Sequence, residues 1–132
     1  MGLHTELEIY RVGYDLLTVA IDAIRNMPRD VKQAIGEPIR DECVGVMLQI
    51  RRANMATDKE PHLLGLLERL EVVELLARVS RDRRFLPTGH YARLIEHTQS
   101  VGKQANAWRR RQPQQQQRLQ LDPQGGQDRA LV

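Results

Sequence analysis

A chain of 132 residues carrying +3 net charge is long enough to bury a core, and its single cysteine excludes an intrachain disulfide. Only 4% of the residues are aromatic and the apolar set is mostly Leu, Ile, Val and Ala, which favours helices packed on helices over a β-sandwich. No apolar run approaches the ~20 residues that span a bilayer, and MGLHTELEIYR lacks the apolar stretch of a signal peptide, so a reducing cytoplasm is expected.

Glu6 to Met27 is predicted as the first helix, ~33 Å long at 1.5 Å per residue. Tyr10, Tyr14, Leu17, Ile21 and Ile24 form a stripe at steps of four and three, and Val12, Leu16, Val19 and Ala20 widen it to a second face. A helix apolar on more than one face touches more than one neighbour. Pro28 to Ile35 allows a turn or two of helix, and Gly36-Glu37-Pro38 predicts a kink or break. The stripe Ile39, Cys43, Val46, Ile50 and Ala53 then carries a second helix to about Met55, with Gly45 marking a close crossing or a weak spot.

Thr57-Asp58-Lys59-Glu60 matches a capping box, Thr57 accepting a backbone N–H and Glu60 reaching back. The third helix follows to about Arg84 on Leu63, Leu66, Leu67, Leu70, Val73 and Leu76. Glu68, Glu71 and Glu74 make its first half acidic, while Arg78, Arg81, Arg83 and Arg84 make its end basic, which also suits the helix dipole. After Phe85-Leu86-Pro87, Thr88 is positioned to cap a fourth helix reaching Arg111, with a seam of Tyr91, Leu94, Thr98, Val101, Ala105 and Trp108. The small residues Thr98, Gly102 and Ala105 would let a neighbouring helix approach that seam. Short connections make consecutive helices antiparallel. The expected architecture is all-α, an antiparallel up-down four-helix bundle over residues 1–111. Residues 112–132, with eight glutamines and two prolines, read as a disordered tail.

The net charge hides an asymmetry. Met1 to Glu74 holds nine Lys/Arg against thirteen Asp/Glu, whereas Leu75 to Arg111 holds nine against two. Such a basic segment, mostly arginine, points to an acidic partner with nucleic acid first, or else to a solubilising surface or charge matching between subunits. Catalytic chemistry is not visible. His90 and His97 share a face without a carboxylate or a third ligand to complete a zinc set, and no Glu-x-x-His pair is present for a di-iron bundle. Cys43 lies on an apolar stripe, and Glu68, Glu71 and Glu74 lie on a charged helix face. No catalytic residue, metal or cofactor is therefore expected.

Several local patterns occur together: Tyr14-Asp15-Leu16-Leu17, Met27-Pro28-Arg29-Asp30, Ile35-Gly36-Glu37, Arg52-Ala53-Asn54, Arg69-Leu70-Glu71, and Ser100-Val101-Gly102-Lys103-Gln104 running on to Trp108. On these the chain resembles the four-helix bundle proteins that include the accessory variability determinant (Avd) of diversity-generating retroelements and the proteins encoded by 23S ribosomal RNA intervening sequences. It is more similar to the Avd branch, although Ala105-Asn106-Ala107 departs from that branch's glycine-rich pattern. The resemblance implies a barrel-like homopentamer that binds RNA or RNA/DNA and works with a retroelement reverse transcriptase without being the catalyst. Arg78, Arg81, Arg83, Arg84, Arg93, Lys103, Arg109, Arg110 and Arg111 would then contact phosphate. The alternative is a structural or interaction module with no direct nucleic-acid role. Trp108 is expected to anchor the core or an interface rather than stack on a base.

Overall fold

The computed structural model describes residues 3–112, with side chains from Glu8 onward. The elements are α1 (Leu3–Ile24), α2 (Arg29–Val31), a π-helical stretch (Lys32–Gly36), α3 (Glu37–Met55), α4 (Glu60–Asp82) and α5 (Thr88–Arg110), with no strand among the described residues. The stretch read as a glutamine-rich tail lies, beyond Gln112, outside the described residues.

Four long helices surround one core, with α1 against α3 and α5, and α4 against α3 and α5. Their senses follow from the residues that meet. Gly13 lies beside Met47 and Ile50 while Gly36 lies beside Ile24, and Gly45 meets Arg69 while Gly65 meets Gln49. Thr98 reaches Glu74, and Arg109 reaches Glu60. Each adjacent pair thus runs in opposite directions. The α1–α2 and α4–α5 turns share one end of the bundle, called here the Arg84 end. The α3–α4 turn and the end of α5 form the other, the Trp108 end.

The core stripes of the last three long helices lie where the spacing puts them. Ile39, Cys43, Val46, Ile50 and Ala53 are fully buried, as are Leu63, Leu66 and Val73, and α5 buries Leu94, Thr98, Val101, Ala105 and Trp108. Gly102 meets Leu70 only at ordinary contact, 3.6 Å from an added Cβ, so that seam does not depend on a missing side chain. The first helix departs from expectation. Of the predicted stripe, Ile24 is buried and Leu17 packs against the core, but Tyr10, Tyr14 and Ile21 are 45%, 56% and 45% exposed. The core is made mostly by the second face, Val12, Leu16, Val19 and Ala20, with Ile9 and Ala23. The reason is steric. The buried face includes the small residues Gly13, Ala20 and Ala23, and at Gly13 a Cβ would come within 2.9 Å of Met47 Sδ, so α1 approaches α3 closely there.

Gly36-Glu37-Pro38 does not break the chain. Gly36 (φ −62°, ψ −49°) and Glu37 (φ −64°, ψ −42°) keep helical dihedrals. Pro38 cannot donate to the carbonyl four residues back, and the wider π turn carries the helix past that gap. Gly36 is buried, and an added Cβ would lie 3.3 Å from Ile24 Cβ.

The two predicted caps also differ. Asp58 Oδ1 accepts the Glu60 N–H (3.3 Å), and α5 starts behind Pro87 with Thr88 as its first helical residue and no side-chain cap. The Glu60 carboxylate, predicted to reach back, accepts from Arg109. Two apolar strips remain outside the core. Tyr10, Tyr14 and Ile21 of α1 with Val44 and Leu48 of α3 form one, and Leu64, Leu75 and Val79 of α4, interrupted by the exposed Glu68 and Glu71, form the other. They lie on opposite sides of the bundle, because α1/α3 and α4/α5 are opposite pairs.

Candidate nucleic-acid interface

The nine predicted phosphate contacts divide according to what each guanidinium or ammonium touches. Arg109 at the Trp108 end is turned inward. Its Nε and Nη2 donate to Glu60 Oε1 (3.3 Å) and Oε2 (2.9 Å), and its Nη1 donates to Asn106 Oδ1 (3.1 Å). The two side chains are 30% and 18% exposed, so this two-pronged pair is shielded on both sides. The hydrogen bond to Glu60 chiefly, with the Glu60 charge adding to it, holds the guanidinium protonated even above its ordinary range, against the opposing effect of burial. Beside it, Lys59 Nζ donates to the carbonyls of Ala53 (3.0 Å), Asn54 (3.4 Å) and Ala56 (2.8 Å), and lies 5.9 Å from the Trp108 ring centroid. Lysine thus closes the C-terminus of α3, where the helix leaves carbonyls unpaired and the dipole is negative. Arg110 and Arg111 beyond are exposed.

At the Arg84 end the chain holds its cations outward by backbone design. Phe85 N–H donates to Ser80 O (2.7 Å) and Arg84 N–H to Arg81 O (3.0 Å), the paired bonds that end a helix through a left-handed residue. That residue is Arg84, at φ 64°, a position at which glycine is usual. A side chain in this region costs roughly 1–2 kcal/mol, so the arginine sits there against the local backbone preference. Arg83 and Arg84 are exposed. Arg81 stacks 4.4 Å over the Tyr91 ring and pairs with Asp82 (3.0 Å), an exposed pair worth little in water. Arg29, which opens α2, is exposed next to Pro28 at this same end. Its charge belongs to no basic run, and only the antiparallel packing brings it here, so spacing along the chain does not reveal it.

The remaining cations lie between the ends. Arg93 and Lys103 are exposed on α5, and the Arg93 carbonyl accepts the His97 Nδ1–H at 2.7 Å. Arg78 lines a groove of about 410 Å³ between α4 and α5 together with Glu71, Glu74 and Leu75. Glu74 in turn accepts the Thr98 hydroxyl at 2.6 Å, which satisfies a buried polar group of the seam. On the α3–α4 side, Arg69 pairs with Glu42 (3.2 Å) and its guanidinium lies across Gly45, which explains the glycine there.

Other groups with chemical potential are built into the core. Burial, with the Glu42 charge adding to it, pushes the Cys43 thiol from 9.0 up to about 12, so it is protonated at neutral pH. Trp108 is 4% exposed and ends the α5 seam. No group of three or more His, Cys, Asp or Glu suited to a metal ion occurs among the described residues, and no described helix is long and apolar enough to cross a membrane.

A family model described as bAvd-like matches residues 9–112, which takes in nearly all of the four-helix bundle. No curated protein and no solved structure gives a significant match.

Proposed function

The chain belongs to the bAvd-like family, and from that premise we propose that it is a non-catalytic, RNA-binding accessory subunit of a diversity-generating retroelement reverse transcriptase, acting in the cytoplasm as a homopentamer. The observation that carries the reading is the Arg84 end, where Arg29, Arg83 and Arg84 are exposed and Arg84 occupies a backbone position that disfavours it. Arginines so placed suit phosphate, whose recognition needs charge and forked donors rather than base-edge geometry. Arg81 and Arg93 extend that surface, while Lys103, Arg110 and Arg111 supply further exposed charge on the same molecule. Arg109 contributes less, since Glu60 holds its guanidinium, and Arg78 shares its groove with Glu71 and Glu74.

Assembly is supported by the two apolar strips. They differ in composition and lie on opposite sides, so one copy's α1/α3 strip can meet the next copy's α4 strip, a head-to-tail contact that closes into a ring. A ring would repeat the Arg84 end around one rim and multiply weak phosphate contacts. The reverse transcriptase would supply the chemistry, and this subunit would hold template RNA. The competing reading, an interaction module without nucleic acid, draws on the cations that carboxylates already offset. Binding of structured RNA across a salt series, with mass measured by light scattering in the same buffers, separates them. Steep loss of affinity with salt by an intact oligomer is expected. An intact oligomer that binds no RNA at low salt would favour the interaction module.

A further inference from the structure

A cavity of about 490 Å³ opens at the Arg84 end, between the α1–α2 turn and the α4–α5 turn. We propose that it is a nucleotide site, taking one 5′-phosphorylated nucleotide with its phosphate on Arg81, Arg84 and His90 and its base against Phe85 and Pro87. The proposal rests on the RNA reading for its source of ligand and goes beyond it in naming a pocket, a ligand group and an orientation.

Four observations converge there. First, the lining is divided: Arg81, Arg84, Thr88 and His90 supply polar atoms, and Pro28, Phe85 and Pro87 supply apolar walls. Second, the cavity's lining contains no carboxylate, whereas the groove on α4–α5 holds Glu71 and Glu74 and that on α3–α4 holds Glu42 and Glu68. Of the acids near it in sequence, Asp82 pairs with Arg81 and Asp22 with Arg25 at the exposed surface, and Asp30 is exposed. An anion is therefore favoured at this cavity and opposed at the other two. Third, His90 Nδ1 is buried with no hydrogen-bond partner. His90 lines the cavity while this nitrogen is closed off from it, so the ring would rotate on binding for Nδ1–H to donate to a phosphate oxygen. Fourth, Arg84 reaches the cavity from the left-handed position, so the arginine side chain is kept there at the expense of backbone comfort.

Size decides between phosphate and nucleotide. The volume lies within the range of small-molecule pockets, well beyond what one phosphate fills. The apolar walls would stay wetted by a bare ion, and Phe85, half-buried at the lip, offers a face for a base. The start of α5 adds to this, since it has no side-chain cap.

The test uses the full-length oligomer and four probes: inorganic phosphate, adenosine, adenosine 5′-monophosphate, and a short RNA with or without a 5′-phosphate. Calorimetry gives affinities, and backbone amide shifts at Thr88, Gly89 and His90 give the place. The monophosphate should bind at least ~10-fold tighter than adenosine, as expected for charge-assisted hydrogen bonds, and the 5′-phosphorylated RNA should show the same preference over its 5′-hydroxyl form. Arg84→Gly should reduce monophosphate binding at least ~10-fold while melting no lower than the parent, which excludes misfolding as the cause. His90→Phe, filling the cavity, should reduce it as well. Equal binding of phosphorylated and unphosphorylated probes, or amide shifts confined to other regions, would overturn the site. If the free monophosphate binds and the RNA end does not compete with it, the source is a free nucleotide and the RNA assignment is overturned. RNA binding with a steep salt slope but no monophosphate binding would remove this pocket and leave the proposed function standing.

Discussion

At the Trp108 end, Lys59 and Arg109 point into the protein. One ties off the carbonyls of α3, the other grips Glu60 across 49 residues of sequence, and Trp108 is packed beneath them. At the Arg84 end, Arg29, Arg83 and Arg84 point away from it, around a cavity with no carboxylate in its wall. Both ends are basic when residues are counted, yet the first set of charges holds helices together and the second is left facing water. The difference is geometric: an arginine acts as structure where the fold supplies a shielded carboxylate opposite it, and as surface where it does not.

The largest expected effect lies at the Trp108 end. Truncating Trp108 to alanine should cost ~3–5 kcal/mol, the usual cost of emptying a large core site, and be seen in denaturant melts. A protein that melts like the parent would mean that the end of the α5 seam is not where helices are held. Next, Glu60→Gln removes the charge opposite Arg109 and should destabilise by ~1–3 kcal/mol with RNA affinity unchanged or slightly raised. A marked drop in RNA affinity at unchanged stability would erase the contrast between the two ends. Arg84→Gly should do the reverse. Relief of the left-handed side chain should raise stability by ~1 kcal/mol, with weaker RNA binding, so stability and binding move in opposite directions.

A smaller effect concerns Cys43, common ground between the ends. Its folded thiol titrates near 12 against 9.0 when exposed. The contribution is therefore fully present below pH 9.0 and declines as pH rises from there toward about 12, because the unfolded chain loses its proton first. Cys43→Ala should flatten that decline. Maleimide labelling of the folded protein at neutral pH should be slow, and rapid labelling would contradict a buried thiol.

The bundle was legible because Ile39–Ala53, Leu63–Val73 and Leu94–Trp108 each present one apolar stripe, and one stripe has one place to go. The first helix presents two, and periodicity alone does not choose between Tyr10-Tyr14-Ile21 and Val12-Leu16-Val19. Contact with Met47 at Gly13 makes that choice, and it is a tertiary fact. The same limit applies to the cations. Arg83 and Arg84 were legible as a basic run, whereas Arg29 joins them only through packing, and Arg109 leaves the set because Glu60 meets it from the far end of α4. Capping differs at two positions for local reasons: Asp58 offers its carboxylate to the Glu60 N–H at the start of α4, and Pro87 takes the N-cap place ahead of Thr88 at the start of α5.

One measurement addresses the contrast most directly: the salt dependence of RNA affinity for two multiple variants at opposite ends. Each lost phosphate contact should lower the slope of log affinity on log salt by ~0.7–0.9. Arg29→Ala, Arg83→Ala and Arg84→Gly together should lower the magnitude of the slope by about two, whereas Arg110→Ala with Arg111→Ala should change it by less than one. An unchanged slope in the first variant, with a large fall in the second, would contradict the assignment of RNA to the Arg84 end.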